Sequence, residues 1–211
     1  MRKTSLYLGA QALRLRFFGG IGGSESPRLR DTRRCMLTLQ VRDTVRAFVP
    51  TKLRSELRRQ VGRAMRAAGV DAALVSLTLS DDEELHELNL EYADEDHPTD
   101  VLSFAQRDAD SGFVVPLAPG AVEPLGDVII SVQIAQRQAE AQGHDLLSEL
   151  CHLSVHGLCH LLGMDHRDSQ EERWMFGYEA LLRKEARGVG RITRQPMPSA
   201  PESAKQEDHP R

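Results

Sequence analysis

The side chains best suited to chemistry lie close together, in the run from His156 to His166. Four residues separate His156 from His160, so on a helix both imidazoles leave the same face about 6 Å apart. Gly163 suits the left-handed conformation that ends a helix, which would turn the chain and bring His166 back towards the other two. Three neutral imidazoles at one point form a site for a zinc-like ion and leave its fourth position open to water. The spacing therefore predicts one metal ion bound by His156, His160 and His166.

The same histidine spacing occurs in the metzincin proteases, whose pattern is H-E-x-x-H-x-x-G-x-x-H. In those enzymes the glutamate after the first histidine is the general base that activates water. Here that position is Gly157. Because the base is missing, we expect the same metal cage to be a poor peptidase and to serve a different reaction.

The run HGLCHLLGMDH resembles the H-G-x-L-H-L-x-G-Y-D-H signature of the YbeY family, which are bacterial endoribonucleases. Met164 replaces a usual tyrosine and Cys159 a usual leucine. Residues 88–104 are similar to the family's L-N-x-x-Y-R-x-x-D-x-P-T-D-V-L-S-F block, and residues 125–131 to its L-G-D-I-x-I-S strand. The resemblance covers about residues 36–187, and its motifs occur in the family's order and spacing.

This resemblance implies a metal-dependent endoribonuclease that prefers single-stranded RNA. The expected role is rRNA maturation, including the 3′ end of 16S rRNA, together with ribosome quality control in the cytoplasm. The expected partners are RNA and proteins of the small ribosomal subunit. The expected cofactor is one zinc ion per chain, and His156 would combine metal binding with a role in catalysis. Two routes stay open, in which either activated water or the 2′-hydroxyl of the RNA attacks phosphorus.

One position departs from the family pattern in a way that concerns catalysis. The family usually has an arginine directly after the tyrosine of its first block, and the resemblance links that arginine to RNA cleavage. Here Ala93 follows Tyr92, so no catalytic arginine is carried over. Arg107, just past the following strand, is the candidate substitute. The change leaves two rival functions open: a non-catalytic ribosome-assembly factor with structural zinc, which Ala93 favours, and a zinc metallopeptidase, which Gly157 disfavours.

Three neighbours of the histidines have simpler expected roles. Asp165 is expected either to accept an N–H from a ligand histidine or to shape the turn. His152, one helical turn before the first ligand, is expected to meet a carboxylate such as Glu149 rather than to line the pocket. Cys159 points about 100° away from the ligand beside it, and is expected to be a small buried side chain.

The elements that must position these residues follow from hydrophobic periodicity. Alternating apolar and polar residues predict strands at 37–41 and 75–79 and a short strand at 101–104. The continuous apolar run 126–132 predicts a central strand buried on both faces. Ser80 is the expected N-cap of a helix to about residue 91. The other helices are predicted at 53–68, closed by Gly69, and at 133–142, 145–162 and 168–187.

These elements predict an α+β fold, in the sense of a mixed α/β arrangement. One small mixed sheet of about four strands would pack with about five helices, and the metal site would lie on a central helix and the turn after it. On the first of these helices, Arg59, Arg63 and Arg66 share one face. That stripe fits either contact with RNA phosphates or an ordinary solvated surface.

Charge and composition divide the chain into three parts. The net charge of −4 combines +6 for residues 1–35 and +1 for residues 191–211, so residues 36–190 carry −11. We expect 36–190 to be the enzyme domain and 191–211 to be a disordered, proline-rich tail. Residues 1–35 are expected to be a disordered basic extension. Three interpretations fit them: an organelle transit peptide, a basic arm for nucleic acid, or an over-extended gene model whose true start is Met36, which we favour.

Two broad protein classes are excluded by composition. No stretch approaches the roughly 20 apolar residues that cross a bilayer, so the chain is not expected to be an integral membrane protein. Three cysteines are too few for a disulfide scaffold in 211 residues, which indicates a reducing compartment.

Overall fold

The computed structural model describes residues 36–70, 73–106, 122–166 and 168–197. The predictions made for residues 1–35, for Arg107 and for residues 198–211 lie outside these ranges. A short 3₁₀ helix at Asp43–Val45 follows the first strand. The strands and α-helices, in chain order, are β1 (Met36–Val41), α1 (Thr51–Ala67), β2 (Ala73–Ser80), α2 (Asp82–Ala93), β3 (Val101–Ala105), β4 (Glu123–Ser131), α3 (Val132–Gln142), α4 (Leu146–Leu161) and α5 (Ser169–Arg187).

The described strands form one mixed sheet in the order β1-β2-β4-β3. β1 pairs with β2, and β2 with β4, in parallel, whereas β3 pairs with β4 antiparallel. β4 thus has a neighbour on each side, as its continuous apolar run predicts. The expected α+β architecture, with four strands and five α-helices among the described residues, is confirmed.

Successive residues of β4 separate two cores on opposite faces of the sheet. Val128 and Ile130 belong to the larger core, to which α1, α4 and α5 contribute. Ile129 points the other way and packs with Leu85 of α2 and Leu102 of β3 in a smaller core. Because side chains alternate along a strand, α2 and α4 lie on opposite faces of the sheet.

Helix α4 is the central helix of the larger core. It packs against α1, α3 and α5 on its outer side and against β3 and β4 beneath it. Every residue from Leu153 to Leu161 is buried. Asp145 caps its N-terminus by accepting a hydrogen bond from the backbone N–H of Ser148 at 2.7 Å. Polar groups between Leu153 and Leu161 are therefore held in a closely packed environment.

The start of α2 differs from the sequence prediction by one residue. Asp81 is the N-cap, and its side chain accepts from the backbone N–H of Glu84 at 2.9 Å. Ser80, the expected cap, is instead the last residue of β2 and pairs with Ser131 of β4. Both residue types cap helices well, so the strand register decides between them, and the prediction of Ser80 was wrong.

The arginines that were expected to form one stripe on α1 have different partners in the structure. Arg59 forms an ion pair with Glu56 of the same helix, at 2.5 Å. Arg63 is buried, and its guanidinium donates to the backbone carbonyls of Glu185 and Gly190 at 2.9 and 3.0 Å. Arg63 therefore joins α1 to the end of α5, a role that neither sequence interpretation included.

The segment after α5 remains in contact with the domain as far as the description extends. Ile192 packs against the larger core. The backbone N–H of Gln195 donates to the carbonyl of Ala67 at 2.7 Å, and the Tyr178 hydroxyl donates to the carbonyl of Gln195 at 3.2 Å. The packed region therefore extends past residue 190, the predicted last residue of the domain. Within the described ranges, no helix is both long and apolar enough to cross a membrane.

Candidate metal centre

Two of the three histidines lie one turn apart on α4. His156 and His160 are both buried, and their Nε2 atoms are 3.2 Å from each other. Their ring centroids are 4.8 Å apart, with the ring planes nearly perpendicular. The helix thus presents two imidazole nitrogens to one point, as the spacing predicts.

The turn after α4 returns the third histidine to the same point. Gly163 has a φ of +85°, in the left-handed region that favours glycine. The backbone N–H of Met164 donates to the carbonyl of Cys159 at 3.1 Å and closes the helix end. The His166 ring then lies 5.2 Å from His160 and 5.9 Å from His156, measured between centroids. One potential ligand atom from each histidine lies within 4.8 Å of the others.

The chemistry of this cluster fits a zinc-like ion. Nitrogens that bind one tetrahedral zinc at about 2.0 Å are separated by roughly 3.3 Å, close to the 3.2 Å between the first two Nε2 atoms. The Nε2 of His166 is buried and has no hydrogen-bond partner among the described residues. Burial, and then the neighbouring His156 and His166, lower the pKa of His160 to about 3. The ring is thereby kept neutral, which is the form that binds a metal.

A buried glutamate on α5 supports the first histidine. Glu179 Oε2 lies 3.0 Å from Nδ1 of His156. Burial alone would raise the pKa of Glu179, but hydrogen bonds from His152 and His156 hold it well below its usual range. The ionised carboxylate accepts the Nδ1 proton and so fixes the tautomer of His156 that leaves Nε2 free as a ligand.

Glu179 was not predicted from the sequence, although α5 carries a signal for it. The buried residues of α5 are Met175, Tyr178, Glu179, Leu182 and Ala186. A glutamate within this apolar stripe at helical spacing must have partners, because an unpaired buried charge is costly. The pattern alone could therefore have marked Glu179 as a residue in contact with buried donors.

The other neighbours follow the expected roles. Asp165 Oδ1 accepts from the backbone N–H of His166 at 2.8 Å, so it shapes the turn that carries the ligand. His152 meets Glu149 at 3.5 Å, as expected, and also meets Glu179 at 2.9 Å. The side chain of Cys159 is fully buried.

Gly157 faces the sheet. A Cβ added there would lie 2.6 Å from Val128 Cγ1 and 3.0 Å from Ser103 Oγ. The residue after the first histidine is therefore a point of contact between α4 and the strands beneath it. No larger side chain fits at this point without movement of the sheet, so a metzincin-type glutamate is excluded by packing.

Two positions are linked to the family arginine. Ala93 is the last residue of α2, on the sheet face opposite α4. Arg107 lies outside the described residues.

Comparison with known proteins shows the family to which this chain belongs. The family model described as Endoribonuclease YbeY matches residues 40–187, which include all three histidines and Glu179. The chain belongs to the YbeY endoribonuclease family. A YbeY endoribonuclease of Bacillus licheniformis is 43% identical over 129 residues, covering 61% of this chain and 82% of the relative. One from Bacillus cereus strain G9842 is 44% identical over 121 residues, covering 57% and 77%.

Among solved structures, the solution structure of a Thermotoga maritima protein is similar at 22% sequence identity, with a TM-score of 0.46. The match covers 72% of this chain and 89% of that one.

Proposed function

We propose that this chain is a metal-dependent endoribonuclease that cleaves single-stranded RNA during rRNA maturation, including that of the 16S 3′ end, and in ribosome quality control. One zinc ion would be held by His156, His160 and His166. The observation that carries the proposal is the convergence of the buried His156 and His160 with the half-buried His166 in a chain of the YbeY family.

The residues of the chain have distinct tasks in this function. When bound, a zinc-like ion supplies Lewis-acid chemistry that polarises a phosphoryl oxygen or acidifies water. The three histidines would hold it through ring nitrogens, and Glu179 accepts the Nδ1 proton of His156. Cleavage of a phosphodiester expels an alkoxide that takes up a proton from solvent water, whereas an amide nitrogen must be protonated before it leaves as an amine. For that reason Gly157, in the position of the protease base, is compatible with RNA cleavage, whether water or the 2′-hydroxyl attacks.

A groove between β1 and α1 offers positive charge for the RNA backbone. It has a volume of about 450 Å³ and contains no acidic side chain among its lining residues. Such a groove suits phosphodiesters, since arginine pairs well with phosphate oxygens. We place the RNA chain in this groove. Its lining residues are Leu39, Gln40, Val41, Arg46, Thr51, Arg54, Ser55 and Arg58.

We place the activity in the cytoplasm, with proteins of the small ribosomal subunit as partners. α2 and the loop after it present a strongly acidic surface, which suits basic proteins rather than RNA. Its exposed acidic residues are Glu83, Glu87, Glu91, Asp94 and Asp96.

The test is incubation of zinc-loaded protein with single-stranded and structured RNA, beside the His160→Ala variant. We expect internal cleavage of the single-stranded substrate by the wild type and loss of both activity and stoichiometric zinc in the variant. Retention of one equivalent of zinc by His160→Ala in elemental analysis would refute the metal assignment. Cleavage of casein without cleavage of RNA would favour a peptidase instead.

Ala93 favours one alternative, a ribosome-assembly factor whose zinc is structural. That function predicts unfolding on zinc removal and no RNA cleavage at any protein concentration. For the enzyme, Arg107 is the proposed substitute for the family arginine. Arg107→Ala should then reduce the cleavage rate without loss of zinc, and an unchanged rate would remove Arg107 from the site.

A further inference from the structure

His152 connects two buried carboxylates one helical turn before the first ligand. Its Nε2 lies 2.9 Å from Glu179 Oε1, and its Nδ1 lies 3.5 Å from Glu149 Oε1. The ring is largely buried, with 13% of its side chain exposed. Both ring nitrogens thus lie near carboxylates, and the closer contact is the one between Nε2 and Glu179.

The carboxylate of Glu179 is divided between two histidines of α4. Oε2 accepts from His156, whereas Oε1 faces His152 at 2.9 Å and Arg183 at the longer distance of 3.5 Å. A carboxylate rotates easily about its last bond, so contacts at both oxygens are needed to fix its plane. In this structure the shorter contact that fixes it comes from His152.

The second carboxylate, Glu149, lies between His152 and another histidine. Glu149 is fully buried, and its Oε2 lies 3.0 Å from Nε2 of His144, which follows α3. Histidine and glutamate therefore alternate along a row of side chains from the α3–α4 corner, across α4, to α5 and back to the first ligand. We call His144, Glu149, His152, Glu179 and His156 the histidine–glutamate row.

We propose that His152 is a positioning residue for the metal centre. By holding Glu179 Oε1, it aims Oε2 at Nδ1 of His156 and so keeps Nε2 of His156 directed at the other two histidines. The inference rests on the proposed metal site and assigns a role to a residue that does not itself reach the metal. Carboxylates behind metal-binding histidines typically account for 10- to 100-fold of metal affinity, and part of that effect would depend on His152.

Two substitutions of His152 distinguish a positioning role from the simple filling of space. In His152→Gln the side-chain amide nitrogen reaches about as far as Nε2 and keeps a donor for Glu179. In His152→Asn the shorter side chain reaches only as far as Nδ1, so it keeps the contact with Glu149 and loses Glu179. The apo proteins are first compared by thermal unfolding. Zinc affinity is then measured by competition with a chromophoric chelator, and no cleavage assay is needed.

We expect His152→Gln to bind zinc within a few-fold of wild type and His152→Asn to bind about tenfold more weakly. His86→Gln is the matched control, because His86 on α2 pairs with Asp96 at the surface, and its zinc affinity should not change. Equal affinity for the His152→Gln and His152→Asn variants, whether both are tight or both weak, would overturn the positioning role. Failure of the wild type to bind zinc would contradict the proposed function as well.

A third variant keeps the test decisive if either substitution of His152 prevents folding. Glu179→Gln preserves the shape of the side chain but leaves one oxygen to serve two histidines. We expect zinc affinity to fall by roughly 10- to 100-fold. Wild-type affinity in Glu179→Gln would show that the row does not act on the metal centre.

Discussion

Cys151 and Cys159 lie on the helix that carries two of the histidines, and both are buried free thiols. Burial raises the pKa of Cys151 to about 11 and places the pKa of Cys159 well above its usual range. The thiolate is the nucleophilic form of cysteine. Both thiols therefore stay protonated at neutral pH, so neither acts as a nucleophile or as a ready metal ligand beside the three imidazoles.

This environment predicts how the two thiols react. In native protein at pH 8, iodoacetamide should leave Cys151 and Cys159 unmodified, because the fraction of thiolate and the access to it are both small. Denaturant should expose both to rapid alkylation. Peptide mass spectrometry measures each site separately and distinguishes them from Cys35. Rapid native labelling of Cys159 would contradict its buried, protonated state.

At the scale of residues, the sequence predicted the part of the site that is local. His156, His160 and His166 depend on one helical turn and on the bend at Gly163, which short-range geometry fixes. Glu179 was not predicted, because the contact between α5 and α4 depends on how two helices pack across a shared core.

At the scale of elements, two helical glycines meet different surroundings. A Cβ at Gly157 would collide with Val128 and come within 3.0 Å of Ser103, whereas one at Gly177 on α5 would meet nothing within 4 Å. The first glycine permits α4 to approach the sheet closely. No contact requires glycine at the second position. Gly177 can therefore serve as the control for Gly157 within the same protein.

Alanine at these two positions should have opposite effects on stability. Gly157→Ala is expected to lower the free energy of unfolding by about 1–3 kcal/mol, because the sheet or the helix must shift. Gly177→Ala is expected to raise it by about 0.5–1 kcal/mol, since alanine is the better helix former. Urea unfolding measures both. Equal changes at the two sites would mean that the approach of α4 to β4 does not limit the side chain at residue 157.

The elements themselves were predicted more completely than their arrangement. Each of the four strands and five α-helices was expected within a few residues, because apolar periodicity and glycine or acidic caps are local signals. The pairing of β2 with β4, with β3 added antiparallel at the edge, was not predicted. Strand order arises from contacts between residues distant in sequence, and no local pattern records it.

At the scale of the whole molecule, charge is unevenly distributed. Residues 36–190 carry a net charge of −11, yet Arg46, Arg54 and Arg58 line one groove. Arg59, one residue further along α1, is paired with Glu56 instead. Arg46 is likewise paired with Asp43, so we expect Arg54 and Arg58 to carry most of the positive charge that the groove offers to RNA.

Replacing the groove arginines should weaken RNA binding without affecting the metal centre. For Arg54→Gln combined with Arg58→Gln, we expect a lower affinity for single-stranded RNA. The slope of log K against log salt should decrease by about 0.7 for each lost phosphate contact. Fluorescence anisotropy with a 2′-O-methyl RNA, which resists cleavage, measures this. Arg59→Gln is the control for loss of a neighbouring charge outside the groove. If Arg59→Gln lowered the RNA affinity as much, per arginine replaced, as the double variant does, the binding would reflect general electrostatic attraction rather than contact in the groove.

The segment that follows α5 affects where this protein can be shortened. The family match ends at residue 187, but the chain beyond it satisfies carbonyl groups left open at the end of α1, through Gln195 to Ala67 and Arg194 to Gly69. The family match and the packed structure thus end at different residues. A version cut at the homology boundary would leave the end of α1 without these partners, whereas one that retains Met197 keeps them.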